Sequence, residues 1–387
     1  MLDFRITKLR EYLYFSLMLF LPLSLLFENI ALALLFFFSI MEARYSLKSI
    51  LTSTLIPFVF YLMVLGFCSG NFISELNVYN KLIPLLIIPF TLYDIKKEVK
   101  LNGIIFLIIG ILIIQLKSIY GILDYYYFEQ GNKTPLRSYA NINSILLYER
   151  PYLGYFSALN IILCYFLRQK IFKLFFITSL LFSSLIIIVI SARMGFVIML
   201  VTVVAVILVD LNNKVLKYCI ITTGTLGLFC LVYFSNVTLK HRFIQIKHDS
   251  RMIIWQGGFD VFCSSTKFFF GIKNQAEIED KLLDYYSNGA SFEYYPDKVR
   301  FLNKKYNSHN QFLNELMRGG VFGLFLFLFP FCSTLIKNFR KNILMNSLLL
   351  LSILLFLLVE NLLERQMGVY SVGIILALSN IYSYEKN

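Results

Sequence analysis

Apolar residues run along this chain in blocks of roughly 17 to 22, the length a helix needs to cross about 30 Å of hydrocarbon, with short basic or polar stretches between them. The blocks lie near residues 12–27, 29–43, 51–68, 82–94, 101–122, 152–167, 172–190, 194–210, 215–235, 311–336, 343–359 and 366–383, the second and fourth being short. Continuous apolar runs of this length predict an all-α, polytopic integral membrane helical bundle of about twelve transmembrane helices. One interval breaks the rhythm, the polar stretch 236–308 between the ninth and tenth spans. There is no repeat of soluble type and no low-complexity linker. Residues 1–387 therefore read as a single membrane domain carrying one large helical outer loop at 236–308.

Composition and charge orient this bundle. Hydrophobic residues make up 58% of the chain and charged residues only 15%, and the mean hydropathy is +0.70, which excludes a water-soluble domain of this length. Arg5, Lys8 and Arg10, Arg44 and Lys48, Lys96, Lys97 and Lys100, Arg168, Lys170 and Lys173, Lys214 and Lys217, and Lys337, Arg340 and Lys341 all fall on one side of the alternating loops. The positive-inside rule makes that side cytoplasmic and puts both termini there. Glu28, the 69–81 and 123–151 loops, the turn at Arg193, the 236–308 segment and the 360–365 turn face outward. The net charge of +13 then reflects anchors at helix ends that attract anionic membrane lipids. No basic stripe interleaved with aromatics suggests nucleic acid. Five of the six cysteines sit in apolar spans and only Cys263 lies in the outer segment, so a disulfide framework is not expected. No Cys-x-x-Cys or His-x-x-x-His spacing suggests a metal, and no cofactor is expected. The N-terminal apolar run lacks a small-residue cleavage site and reads as a retained first helix.

Candidate chemistry gathers on the outer side. His309 stands at the end of the long polar segment, in Ser308-His309-Asn310, with Gly320 and Gly323 following in the next helix. A histidine takes up a proton near neutral pH, which suits a general base acting on a hydroxyl; the alternative is a capping role at the start of the tenth span. His241 and His248 lie in a charged stretch and read as solvated. Arg193, in the short turn Ser191-Ala192-Arg193, Arg251, which opens a helix leading to Trp255, Arg365 in the 360–365 turn, and Arg318 inside the helix after His309 are cations on the outer side. A charge there is costly to bury, and a guanidinium fork bonds phosphate oxygens bidentately, so the four suit a diphosphate. The structural alternative is interhelical pairing with Glu360, Glu364 or Glu315. Trp255, the only tryptophan, reads as an interfacial anchor. Gly319, Gly320 and Gly323 read as close helix packing. The tyrosines at 285, 286, 294 and 295 read as packing or as a glycan-stacking surface.

In this order and topology, the Ser-x-Arg turn at Ser191 to Arg193, the Arg-x-x-x-Trp helix at Arg251 to Trp255 leading to Phe270-Gly271, and His309-Asn310-x9-Gly320-x-x-Gly323 resemble the O-antigen ligase and polymerase superfamily. The resemblance implies a GT-C-like, multi-pass glycosyltransferase of the bacterial inner membrane, with its site facing the periplasm. It implies inverting, metal-independent transfer of a glycan from undecaprenyl diphosphate to a lipid A-core acceptor. His309 is then the base, Arg193, Arg251, Arg365 and Arg318 bind diphosphate, and Asn310, Ser191 and Trp255 support them. A histidine sometimes found just upstream of the signature is here Asn307, and the first half of the chain, with Lys81 and Glu149-Arg150-Pro151-Tyr152, lines up only loosely. The alternatives are a polymerase joining lipid-linked repeat units and, more remotely, a lipid-linked glycan flippase. A transporter commonly shows two related halves with charges near the midplane, a pattern this chain lacks.

Overall fold

The computed structural model describes residues 2–42, 54–92, 95–127, 143, 145–210, 250–265, 268–292 and 295–380. Among these residues every regular element is helical. In chain order the α-helices are α1 (Leu2–Phe20), α2 (Leu25–Glu42), α3 (Ile56–Cys68), α4 (Leu76–Leu92), α5 (Lys97–Tyr127), α6 (Arg150–Leu167), α7 (Lys173–Val189), α8 (Arg193–Asp210), α9 (Ser250–Ser264), α10 (Gln275–Asp284), α11 (Tyr295–Lys304), α12 (Gln311–Arg340), α13 (Leu344–Leu357) and α14 (Gln366–Leu378). The expected span at 215–235, with His241 and His248, lies outside the described residues. Helices overlie the other expected spans. By length and apolar composition Lys97–Tyr125 and Gln311–Arg340 reach far enough to cross a membrane, while seven further apolar helices are shorter.

The chain divides into two units, residues 1–110 with 253–387, and residues 111–252. In the first unit, α1 packs on α2, α2 and α14 pack on α4, and α12 packs on α3 and α13. The break between α1 and α2 comes earlier than the charge pattern suggested. It falls at 21–24, where Pro22 lacks the N–H that would continue the helix. Glu28, expected in an outer loop, instead lies fully buried in the first turn of α2. Its neighbour Asn29 accepts hydrogen bonds from Gln366 Nε2 and Tyr370 Oη, each at 2.6 Å, tying α2 to α14.

The described part of the 236–308 segment in this unit has a core of its own. Ile254, Val261 and Phe262 of α9 meet Ile272, Ile278 and Leu282 around α10, then Tyr286, Phe301 of α11 and Met317 of α12. Trp255, expected to seat α9 on the membrane surface, packs against this core. Burying large apolar side chains contributes about 1.5–3 kcal/mol each, so the segment is anchored to α12 through Met317 rather than hanging as a loop.

In the second unit α6 packs against both α7 and α8 and is buried along most of its length. The close approach depends on small residues. A Cβ on Gly154 would stand 2.3 Å from the Ala192 methyl, and one on Gly195 would stand 2.5 Å from the Gly154 carbonyl oxygen. Several buried polar side chains bond one another across these helices: Gln115 Nε2 donates to Ser157 Oγ at 2.9 Å and Ser183 Oγ at 3.0 Å, and Asn160 Nδ2 donates to Ser183 Oγ at 2.8 Å. An unpaired amide in hydrocarbon costs several kcal/mol by order of magnitude, so these bonds hold α5, α6 and α7 together.

Candidate functional site

His309 immediately precedes Asn310, the N-cap of α12. Its backbone is left-handed, with φ of 42°, a conformation that costs a residue with a Cβ on the order of 1–2 kcal/mol. Such strain persists where the surroundings over-determine it. Asn307 Oδ1 accepts the His309 N–H at 3.2 Å. On the other side Asn310 is extended, and its Oδ1 accepts the Leu313 N–H at 3.1 Å, capping α12. The imidazole is 30% exposed and sets Nδ1 at 3.5 Å from Glu360 Oε2, whose side chain is 8% exposed. That separation is ion-pair range, longer than a good hydrogen bond. A proton on Nδ1, facing the carboxylate, leaves Nε2 to accept another.

Glu360 opens a turn that reaches back to the His309 loop. Ser308 Oγ and the Asn361 amide lie 3.0–3.2 Å apart in two hydrogen-bonding arrangements, Ser308 donating to Oδ1 and accepting from Nδ2. Asn361 Nδ2 donates to Glu364 Oε1 at 2.9 Å, and Asn307 Nδ2 donates to Glu364 Oε2. Beyond His309, Gln311 Oε1 accepts the Leu363 N–H at 2.9 Å while Gln311 Nε2 donates to Glu315 Oε1 at 2.5 Å. Burial pushes the Glu364 carboxyl above its ordinary range. Hydrogen bonds from Asn361 and Asn307 act against that rise, Glu279 adds to it, and His309 opposes it.

The glycines of the His309 signature have a backbone role. Gly320 adopts φ 64° and ψ −164°, breaking α12 into 311–319 and 321–340. Gly271, at φ 66°, crosses it there. A Cβ on Gly320 would lie 2.4 Å from the Phe269 carbonyl carbon and oxygen, and one on Gly271 would lie 2.5 Å from Gly320 N. The crossing segment supplies the hydrogen bonds the broken helix loses. Ile272 N donates to Met317 O at 2.8 Å, Lys273 N to Arg318 O at 3.0 Å, Val321 N to Phe268 O at 3.2 Å, and Phe322 N to Phe269 O at 3.3 Å. The reading of Gly320 as a helix-packing position is thereby corrected to a helix break, whereas Gly323 does face a neighbour, the Tyr61 ring.

The expected arginines fall in different settings. Arg318 is buried beside Glu75, Nη2 to Oε2 at 3.3 Å, with side chains 5% and 3% exposed. Glu75 Oε1 also accepts the Gln275 N–H at 2.8 Å at the start of α10. This is the structural alternative, a buried ion pair, here with Glu75 in the turn before α4, while Glu315, one of the three glutamates considered from sequence, also lies within electrostatic reach of Arg318. Arg365 is exposed and precedes α14. Arg193 and Arg251 belong to the second unit. Arg193 begins α8 after Ser191, whose φ of 52° closes α7, the Ala192 N–H bonding Ile187 O at 3.1 Å. Arg251 is partly buried in the first turn of α9.

Sequence reasoning passed over Asn307, Ser308, Asn361 and Glu75 as site residues and treated Glu360 and Glu364 only as partners for arginine. A usable signal existed in the dense polar run at 360–366 between two apolar blocks. Nothing in the spacing pointed from Glu75 to Arg318. Among the described residues no group of three or more His, Cys, Asp or Glu side chains is arranged to hold a metal ion. The O-antigen ligase family model matches residues 178–328, the interval that contains the Ser191–Arg193, Arg251–Trp255 and His309–Gly323 motifs. No curated protein matches the chain.

Proposed function

From the match of residues 178–328 to the O-antigen ligase family model, we propose that this protein is an inverting membrane glycosyltransferase moving a glycan from undecaprenyl diphosphate to a lipid A-core acceptor. The observation that carries the reading is His309, strained and partly exposed, with Nδ1 directed at Glu360. Glu360 orients the ring and balances the imidazolium that forms, as a carboxylate does for a catalytic histidine elsewhere. Nε2 takes the proton of the acceptor hydroxyl, the oxygen attacks the anomeric carbon, and the bond from that carbon to the diphosphate oxygen breaks. The electron pair leaves with undecaprenyl diphosphate. Arg193, Arg251 and Arg365 are the proposed diphosphate ligands, stabilising the charge that accumulates on the leaving group. Asn310 and Ser191 support these residues through the cap and the tight turn they form. The geometry favours a supporting role for Arg318 and Trp255 as well, since the first is engaged by Glu75 and the second packs into the outer core.

The proposed setting is the bacterial inner membrane, with both termini cytoplasmic and His309 on the periplasmic side. The test is transfer by the purified protein in lipid vesicles. The assay supplies undecaprenyl-diphosphate glycan with and without lipid A-core acceptor, and runs with and without a chelator. Product that requires the acceptor, resists chelation and falls about 10²- to 10⁴-fold in His309→Ala is expected. Lengthened lipid-linked chains formed without that acceptor make the protein a polymerase. Undiminished transfer by His309→Ala removes the base, and chelator inhibition reversed by magnesium removes metal independence.

A further inference from the structure

The hydrogen bonds between residues 307–311 and the 360–364 turn flank His309 on both sides, and the side chains that make them each enter more than one bond. Asn307 Oδ1 holds the His309 N–H while its Nδ2 is donated to Glu364. Glu364 receives Asn361 on its second oxygen, and Asn361 bonds Ser308. Past His309, Gln311 receives the Leu363 N–H. Glu360, the carboxylate that faces His309 Nδ1, belongs to the same turn. The left-handed backbone that aims the imidazole is thus fixed against the element that carries its carboxylate partner. We propose that Asn307 and Glu364 form a clasp that positions His309 against Glu360, making both residues positioning residues for the transfer step. The proposal rests on the reading of His309 as the base.

The donor and acceptor pattern makes the clasp testable with a pair of substitutions that together keep its size and net charge. Asn307→Asp keeps the acceptor for the His309 N–H but sets a second carboxylate against Glu364, so that the contact becomes repulsive. Glu364→Gln added to it restores an N–H facing a carboxylate oxygen, with the polarity of the bond reversed and the total charge that of the natural pair. Glu364→Gln alone is accommodated by turning the new amide. Its oxygen then accepts from Asn307, and the Asn361 amide turns to accept from its nitrogen, because the Ser308 hydroxyl serves either end of Asn361.

The experiment measures kcat, donor KM, membrane abundance and the thermal midpoint in detergent for the two single variants, the pair, and His309→Ala. Asn307→Asp is expected to lose between tenfold and about 10²-fold in kcat, the scale on which a displaced catalytic group is felt, with donor KM unchanged. The pair is expected to recover to within a few-fold of the natural protein. A folded pair no more active than Asn307→Asp, or an Asn307→Asp variant with undiminished kcat, overturns the clasp while leaving the base assignment intact provided His309→Ala is inactive. Should Asn307→Asp fail to accumulate, the pair decides alone: folded and active supports the clasp, folded and inactive refutes it. Full activity in His309→Ala overturns the base assignment and the clasp together.

Discussion

Arg318 and Glu75 lie side by side with almost no exposure, so removing one charge strands the other in a low-dielectric interior. Arg318→Met is expected to destabilise the protein by about 3–5 kcal/mol, read as a lowered thermal midpoint in detergent. Arg193→Lys and Arg251→Lys keep the charge and lose the fork; they are expected to keep the midpoint and lose transfer. Full transfer by either lysine variant would leave only a point-charge role. Glu364 makes a separate prediction. Its carboxyl is held above its ordinary range by burial, so the folded protein binds that proton more tightly than the unfolded chain does. The stability it contributes is full below the ordinary glutamate range and is lost as pH rises through the raised value. The midpoint is expected to fall with rising pH over that interval, and Glu364→Gln to flatten the slope. At this scale residue type was legible and pairing was not. His309 could be singled out from its position, but the partner of Arg318 lies 243 residues away in sequence, and no periodicity encodes that distance.

Helix α12 joins chemistry to scaffold, and Gly320 is its weak point. Ala at 320 meets the Phe269 backbone at 2.4 Å and must hold φ near 64°. Ala at 323 meets only the Tyr61 ring, at 3.3 Å, and the Glu315 carbonyl, at 3.5 Å. Gly320→Ala is therefore expected to abolish accumulation of folded protein or its transfer activity, and Gly323→Ala to be tolerated with a small loss. Equal effects in membrane abundance and transfer would count against the break as the reason for the glycine. The apolar block at 311–336 announced a helix here because an unbroken apolar run in lipid has few other ways to satisfy its backbone. It did not announce the break, whose lost bonds are replaced by residues 268–273. The early end of α1 was legible in Pro22, yet the charge of Glu28 drew the boundary too late; a missing N–H ends a helix more surely than a charge does.

For the molecule as a whole, the loop charges predict which surface faces which compartment. In a protein with its native cysteines replaced, an impermeant thiol reagent applied to intact spheroplasts is expected to label Asn288→Cys, beside the exposed end of the outer helices. Lys170→Cys is expected to label only after lysis. The reverse pattern would invert the bundle and take His309 to the cytoplasm. The helical class was readable at this scale, and so was a long polar interval between apolar blocks, because both follow from composition averaged over many residues. The insertion's own core was not, since its members come from α9, α10, α11 and α12 and meet only when folded.

The sequence by itself determined that the chain is helical and apolar, roughly where most of its apolar helices run, and that a histidine and several arginines stand out against that background. Those properties are local sums: hydropathy over a span, charge over a loop, residue type at a position. Only the tertiary structure decided that Glu360 faces His309, that Asn307 and Glu364 hold its backbone, that Arg318 belongs to Glu75, and that Gly271 and Gly320 pass where no side chain fits. Each of these joins residues from separate segments, and a contact of that kind is set by how the helices pack, which the order of residues along one helix does not express.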